Sequence, residues 1–527
     1  MITQYMTIGR HRQTDSIDAL TRWVFGTLAV FTLLEAAFFP QMENLYGCFT
    51  FFVAWGFLYP CVLKLKGEVR NKCFFPYLAL LGLGLTFFWL PLIATFVEGK
   101  PLTFRFAVPY KTFTLQLLNL MMLIAAYRCC LHLYRTNNPL QRLWKKMGYF
   151  TAPTDLQVWA MGVVGLVSLI LLLTIQGTDE ADAENLGFWG HLLGVTKSFI
   201  SFPCLLLFKQ LYSGNAQSTS KKSVFIYLGI MAVLSVATGK RTPIILPVAT
   251  MAFCYILPII TQGKRLFSTR NTILALIGVF LITGPVADLA MAMALGRDST
   301  GQTSASKTFD NIWKIYRDKE SLHTLYQISI SNTDNVGNNE YGWSEYYVDN
   351  IILDRFCNIR VCDATIDYAY KLGLDNPKMQ NYMQKNILYL LPTPILRRLG
   401  IYVNKFESQY TPGDLMSTEG LGLKHQYHGY RVAGDVGIGL YLWGYAYFFY
   451  AFLIYIVFFY FLSTKAEVFQ NGVIIFALPA MNEIFRTLLT FNNDTGMLGV
   501  ISTLLRTGWQ NIILYCIIFA IIRKIVK

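Results

Sequence analysis

Arginine and histidine side chains at the margins of long apolar runs are the residues of this sequence best placed to do chemistry. Arg241 stands in Ala237-Thr238-Gly239-Lys240-Arg241-Thr242-Pro243, a polar break between two apolar runs. A guanidinium there can grip an anion through two parallel hydrogen bonds, with Lys240 beside it as a second cation. The same position also suits a plain interfacial turn whose bases snorkel to water. The stretch Lys424-His425-Gln426-Tyr427-His428-Gly429-Tyr430-Arg431 gathers two of the six histidines, two tyrosines and an arginine just before Gly434-Asp435. Imidazole transfers protons near neutral pH, so His428 and His425 are candidate bases, with Asp435 and Glu407 behind them. Tyr427 and Tyr430 offer ring faces on which a sugar can stack, though tyrosines are also routine at membrane interfaces. Glu483 and Arg486, three apart, either pair on one helix face or line a common cavity. Arg297 directly follows an apolar run, and Arg355 and Arg360 lie on a stretch with amphipathic helical periodicity.

Several familiar signals are missing from the sequence. No glycine-rich phosphate loop and no His-Glu-x-x-His occur, and His425 with His428 alone is too weak a spacing for a metal site. The expectation is chemistry with no metal, no nucleotide and no other cofactor.

The elements that must position these residues are membrane helices. The chain has 527 residues, of which 54% are hydrophobic and only 14% charged, against about a quarter charged in a soluble protein. Apolar runs occupy 23–40, 46–63, 74–97, 106–127, 157–176, 188–208, 223–238, 242–262, 271–293, 436–463, 472–491 and 497–522, most near the length that crosses a hydrocarbon core. This predicts an all-α polytopic membrane protein with about twelve spans. Connectors rich in Lys and Arg follow the second, fourth, sixth and eighth runs and the last one, whereas Asp179, Glu180, Asp182 and Glu184 fill one of the others. The positive-inside bias then places both termini in the cytoplasm. Residues 1–22 form a cytoplasmic segment with no cleavable signal, 23–293 nine spans, 294–435 one large, partly helical extracytoplasmic loop, and 436–527 three spans. A loop of about 140 residues is far beyond ordinary length and should be structured. Its stretch 387–395, broken by Pro392 and Pro394, is too short to span and reads as re-entrant or interfacial.

The formal charge of +14 suggests nucleic acid, but the bases sit in short clusters between apolar runs, so no nucleic-acid partner is expected. The ten cysteines are scattered, mostly inside predicted spans. Cys357 and Cys362, the two in the long loop, suit equally a local disulfide or two unpaired thiols.

Taken in order, these residues resemble the Wzy-type oligosaccharide repeat-unit polymerases of O-antigen, exopolysaccharide and enterobacterial common antigen synthesis, relatives of O-antigen ligases. The likeness covers roughly the second half of the chain. It rests on the break at 237–243, Arg297 after a span, the Leu391-Pro392-Thr393-Pro394-Ile395 element running on to Glu407, the Gly434-Asp435 to Gly444 start of a span, and Arg486 in the penultimate run. Lys240 replaces the small residue common before the arginine, Asp435 stands where Glu is frequent, and nothing in the first six runs identifies the family. His428-Gly429 is not the His–Ser or His–Asn pair expected of a ligase.

The resemblance implies a GT-C-like architecture in a bacterial cytoplasmic membrane. It also implies transfer of a growing glycan from undecaprenyl pyrophosphate to the next lipid-linked repeat unit. Arg241 would stabilise charge on the departing phosphate, helped by Arg486 and Arg297. His428, or else His425, Asp435 or Glu407, would take the acceptor proton, while Arg355, Arg360, Arg431 and Glu483 would hold pyrophosphate or glycan. The implied partners are the undecaprenyl-pyrophosphate-linked oligosaccharide, membrane lipids and a Wzz-like chain-length regulator. A ligase-like glycosyltransferase and a lipid-linked glycan flippase are the alternatives.

Overall fold

Backbone inside a bilayer has no water to bond, so long charge-free runs must close their hydrogen bonds within helices. The computed structural model describes residues 13–65, 67–176, 188–214, 221–237, 242–262, 282–298, 305–319, 322, 324–325, 343, 345–391, 393–402, 410–422, 431–468, 474–492 and 496–526. Among these, seven stretches are by length and composition apolar enough to cross a membrane: Ile17–Phe38, Met42–Leu63, Phe74–Val97, Pro109–Leu133, Asp155–Leu172, Asp435–Ser463, which is bent back on itself at Gly444, and Gly496–Ile525. The chain is an all-α multi-pass membrane protein. Its helices bury one face and leave large apolar side chains such as Leu33, Val233 and Ile525 on the outside, as lipid-facing surfaces require.

Several boundaries differ from the sequence reading. The first helix begins at Gln13, inside the segment expected to precede the spans. The runs at 223–238 and 242–262 form helices Lys221–Ala237 and Thr242–Gln262, the second carrying Pro247 and Pro258. The run at 188–208 is helical but broken by short 3₁₀ turns at Ser198–Ser201 and Leu206–Phe208. Most of the first half of the 271–293 run lies outside the described residues. The run at 472–491 is not one helix. It contributes strand Ile474–Phe476, antiparallel to Ala466–Val468, then two five-residue helices, Leu478–Asn482 and Ile484–Leu488. Uniform hydrophobicity marks burial but cannot distinguish one long helix from several short buried pieces.

The run read as a span at 436–463 also folds differently. Helix Asp435–Trp443 ends at Gly444, whose φ of +54° only glycine adopts without strain. Helix Tyr447–Ser463 then returns alongside it. Asp435 is hydrogen-bonded to both Tyr447 and Tyr455, whereas in one straight helix Asp435 and Tyr455 would stand about 30 Å apart.

The long loop is tied down at two places on the connector 98–108. Glu98 accepts the backbone N–H groups of Asp349 (2.7 Å) and Asn350 (3.0 Å), and the Tyr347 hydroxyl donates to the Leu102 carbonyl (2.5 Å). The buried Asp363 carboxylate accepts the N–H groups of Ala107 (2.5 Å) and Val108 (3.0 Å) and the Thr112 hydroxyl (2.8 Å). Val108 is the N-cap of helix Pro109–Leu133, so its N–H is one of the helix-end donors with no partner inside the helix. Helix Ile359–Leu372 is consequently no surface amphipath. Residues 359–369 are all buried, packed between Pro109–Leu133, Pro412–Leu421 and Asp435–Trp443.

Candidate functional site

The C-terminal end of the histidine–tyrosine stretch is fixed by an array of hydrogen bonds. Helix Pro412–Leu421 opens with a capping box: the Thr411 hydroxyl accepts from Asp414 N–H (3.0 Å), and the Asp414 carboxylate accepts from Thr411 N–H (3.1 Å). The other Asp414 oxygen accepts the Arg431 N–H (3.2 Å), and the Thr411 hydroxyl donates to the Arg431 carbonyl (2.7 Å). The Arg431 guanidinium donates to the Ser417 hydroxyl (3.1 Å) and stands 3.9 Å from Asp414. Val432 N–H donates to Glu345 (2.6 Å) and Gly434 N–H to the Thr365 hydroxyl (2.9 Å). Backbone groups from 431 to 434 are thus held by three separate elements. Arg431, expected to bind substrate, spends its guanidinium on this anchor.

Asp435 is 8% exposed, and one of its oxygens accepts the phenols of Tyr447 (2.9 Å) and Tyr455 (2.8 Å). The sequence reading offered it as a base. In the structure it staples the hairpin, with its other oxygen turned toward Gly496 and the start of the last span. Arg360 is likewise buried, with its guanidinium 3.7 Å from Asp363, and it supports the loop rather than facing a ligand.

Glu483 was expected to pair with Arg486 or line a cavity with it. It pairs instead with Lys465, whose ammonium is buried at the end of helix Tyr447–Ser463. This leaves Arg486 exposed and without an ion pair among the described residues. Its helix packs against the middles of two apolar helices, not their ends: a Cβ on Gly82 would overlap the Leu488 carbonyl, and the Phe485 ring lies tilted 5.5 Å from that of Phe253.

Phe485 also lies 6.4 Å, edge to face, from Phe356. That contact brings two predicted arginines into one neighbourhood, because Arg355 precedes Phe356, Arg486 follows Phe485, and both are exposed. Phe253 belongs to helix Thr242–Gln262, which Arg241 directly precedes. Lys240, Arg241, Glu407, His425, Tyr427, His428 and Tyr430 lie outside the described residues, as does the side chain of Arg297.

Two carboxylates beside Arg355 were not singled out from sequence. Burial pushes the Asp354 carboxyl up to about 6, opposed by the N–H groups of Val348 and Tyr347 and by Arg355. Burial raises Glu345 as well, against the pull of Val432 N–H, Arg355 and Arg431. The Thr411-x-x-Asp414 capping signature was readable in the sequence; nothing local marked Glu345 or Asp354. Among the described residues no group of three or more His, Cys, Asp or Glu side chains is placed to hold a metal. Cys357 and Cys362 are free, buried thiols.

No protein-family model, curated protein or solved structure matches this chain.

Proposed function

We propose that this protein is a lipid-linked glycosyltransferase of the oligosaccharide-polymerase type. It would sit in a bacterial cytoplasmic membrane with both termini inside and work at the outer face. The observation that carries the reading is the Phe356–Phe485 ring contact, whose sequence neighbours Arg355 and Arg486 are both exposed. An exposed guanidinium level with the middles of apolar helices is costly in lipid, so the reading requires a polar recess at Arg486. A pyrophosphate on a lipid carrier is an anion that enters such a recess with its chain still in the bilayer, and guanidinium forks match its oxygens.

In the reaction, the bond between the donor sugar's anomeric carbon and the pyrophosphate oxygen breaks. The acceptor hydroxyl forms the new glycosidic bond, and its proton passes to a base on the 423–430 stretch, with His428 first. Charge grows on the departing pyrophosphate, where Arg241, Arg486 and Arg355 stabilise it. The anchor at Arg431 and Val432 fixes the chain directly after the stretch that carries these histidines. Guanidinium recognition of a lipid-linked pyrophosphate would equally serve the sister ligase reaction, in which the acceptor is a different lipid.

The test supplies purified protein with polyprenyl-pyrophosphate-linked repeat units and neither nucleotide nor added metal. A ladder of longer lipid-linked glycans is the expected product. Unchanged starting material, from protein verified as folded, overturns the reading.

A further inference from the structure

Helix Pro377–Tyr389 starts at the hairpin turn. The N–H groups of Asp375 and Asn376 donate to the carbonyls of Leu440 (3.2 Å) and Tyr441 (2.7 Å), and the Gln380 amide reaches the Leu442 carbonyl (3.4 Å). That turn carries exposed aromatic rings: Tyr445 is 59% and Tyr450 44% exposed, with Trp443 packed 5.0 Å from Tyr450. Tryptophan and tyrosine gather where a bilayer meets water, so this end of the hairpin marks the interface.

The chain then continues from helix Pro377–Tyr389 into the short helix Thr393–Arg398. Its last turn is closed by a Schellman arrangement. Leu399 N–H bonds the Ile395 carbonyl (3.1 Å), Gly400 takes φ +73°, and Ile401 N–H bonds the Leu396 carbonyl (2.9 Å). Leu396 is buried at 1% and fixes which side faces the protein. At about 100° per residue, Ile395 and Leu399 then share one flank, and they are 45% and 60% exposed. Tyr402, 86% exposed, follows just beyond. Arg398 sits roughly 60–100° from that apolar ridge and Arg397 nearly opposite it. Both arginines are exposed, and neither has an ion pair among the described residues.

We propose that this element lies in the membrane interface and binds anionic phospholipid: Ile395 and Leu399 dip below the headgroups, Arg398 takes the phosphate, and Arg397 points to water. An unpaired arginine flanking an exposed apolar ridge, with a second at its water-facing side, fits an anionic leaflet. A protein groove would require acidic side chains to meet them.

The test uses full-length protein in nanodiscs, with bimane placed on Leu399→Cys or Arg397→Cys and the unsubstituted protein as labelling background. Lipid-borne nitroxides should quench the 399 label much more than the 397 label, and a water-soluble quencher should do the reverse. Exchanging phosphatidylcholine for phosphatidylglycerol should deepen lipid quenching at 399. Adding Arg398→Gln should weaken that phosphatidylglycerol preference by about fivefold, while Arg397→Gln leaves it intact. Equal quenching of both labels by the aqueous agent overturns the placement, and shielding of the 399 label from both agents would point to a protein partner instead. Loss of the phosphatidylglycerol effect in neither variant overturns the phosphate site. Hydrogen exchange over 391–402 in unsubstituted protein, slower in nanodiscs than in detergent, checks the placement without any substitution.

Discussion

Asp435 accepts a hydrogen bond from Tyr455 at 2.8 Å, although the two residues are 20 positions apart on what reads as one apolar run. The bond exists because Gly444 turns the chain back, and the Tyr447 phenol joins it at 2.9 Å. Burying a carboxylate is costly unless it is hydrogen-bonded, and the two phenols on one Asp435 oxygen offset part of that cost, so this trio holds the hairpin closed. It also separates a structural role for Asp435 from a catalytic one. Asp435→Asn keeps an oxygen for both phenols and should preserve glycan-ladder formation with a small drop in melting temperature. Tyr455→Phe should cost about 1 kcal/mol, and removing both phenols more than either alone. Complete loss of the ladder in Asp435→Asn, at unchanged stability, would restore the carboxylate as a base.

Asp354 makes folding stability depend on pH. Its carboxyl is held above the ordinary value, at about 6 in the folded protein, so the folded state binds this proton more tightly than the unfolded chain does. Stability from this group is therefore full below the ordinary carboxylate range, falls as pH rises through about 6, and stays low above that. The span is worth about 3 kcal/mol. Asp354→Asn retains the oxygen that accepts Tyr347 and Val348 N–H (3.1 and 3.2 Å). Melting in detergent should then show a flatter pH profile and equal or greater stability near neutrality. A variant as pH-sensitive as the parent would exclude Asp354 as the source.

The arginines at the Phe356–Phe485 contact should matter for chemistry rather than folding. Both are exposed, so Arg486→Gln and Arg355→Gln should leave the melting temperature nearly unchanged. Losing one preorganised donor to a developing anion should slow ladder formation by about a hundredfold. Arg241→Ala should abolish it while the protein still expresses. Rates within twofold of the parent for all three would remove these residues from the site.

What the sequence made legible follows from what each signal encodes. Charge-free length marked most of the spans, because the hydrocarbon core imposes it directly. The hairpin at Gly444 was hidden, since both of its arms are apolar and glycine alone does not announce a reversal. The Glu483–Arg486 pair looked plausible from spacing on one helix, but that helix is only five residues long and Lys465, which precedes the first strand of the two-stranded sheet, captures the carboxylate. Arg360 and Arg431 resemble ligand-binding arginines in sequence; their buried partners Asp363 and Asp414 become visible only once the loop is folded. The Phe356–Phe485 contact beside Arg355 and Arg486 joins rings far apart in the chain, which no local pattern carries.

The fit of Ile484–Leu488 against the third span offers a last test that is independent of function. Gly82 lies in helix Phe74–Phe88, and a Cβ there would collide with the backbone carbonyl of Leu488 rather than with a side chain able to swing aside. Gly82→Ala must push the two elements apart, at about 1–3 kcal/mol for overpacking. It should also displace Arg486, so ladder formation should fall with stability. Gly26 is the control: it is helical, exposed, and nothing lies within 4 Å of a Cβ built on it. Gly26→Ala should raise stability by up to about 1 kcal/mol through helix propensity alone and leave the ladder unchanged. Thermal melting of the two alanine variants side by side reads the difference. If Gly82→Ala melts with or above the parent, Ile484–Leu488 does not pack where the structure puts it, and the position of Arg486 falls with it.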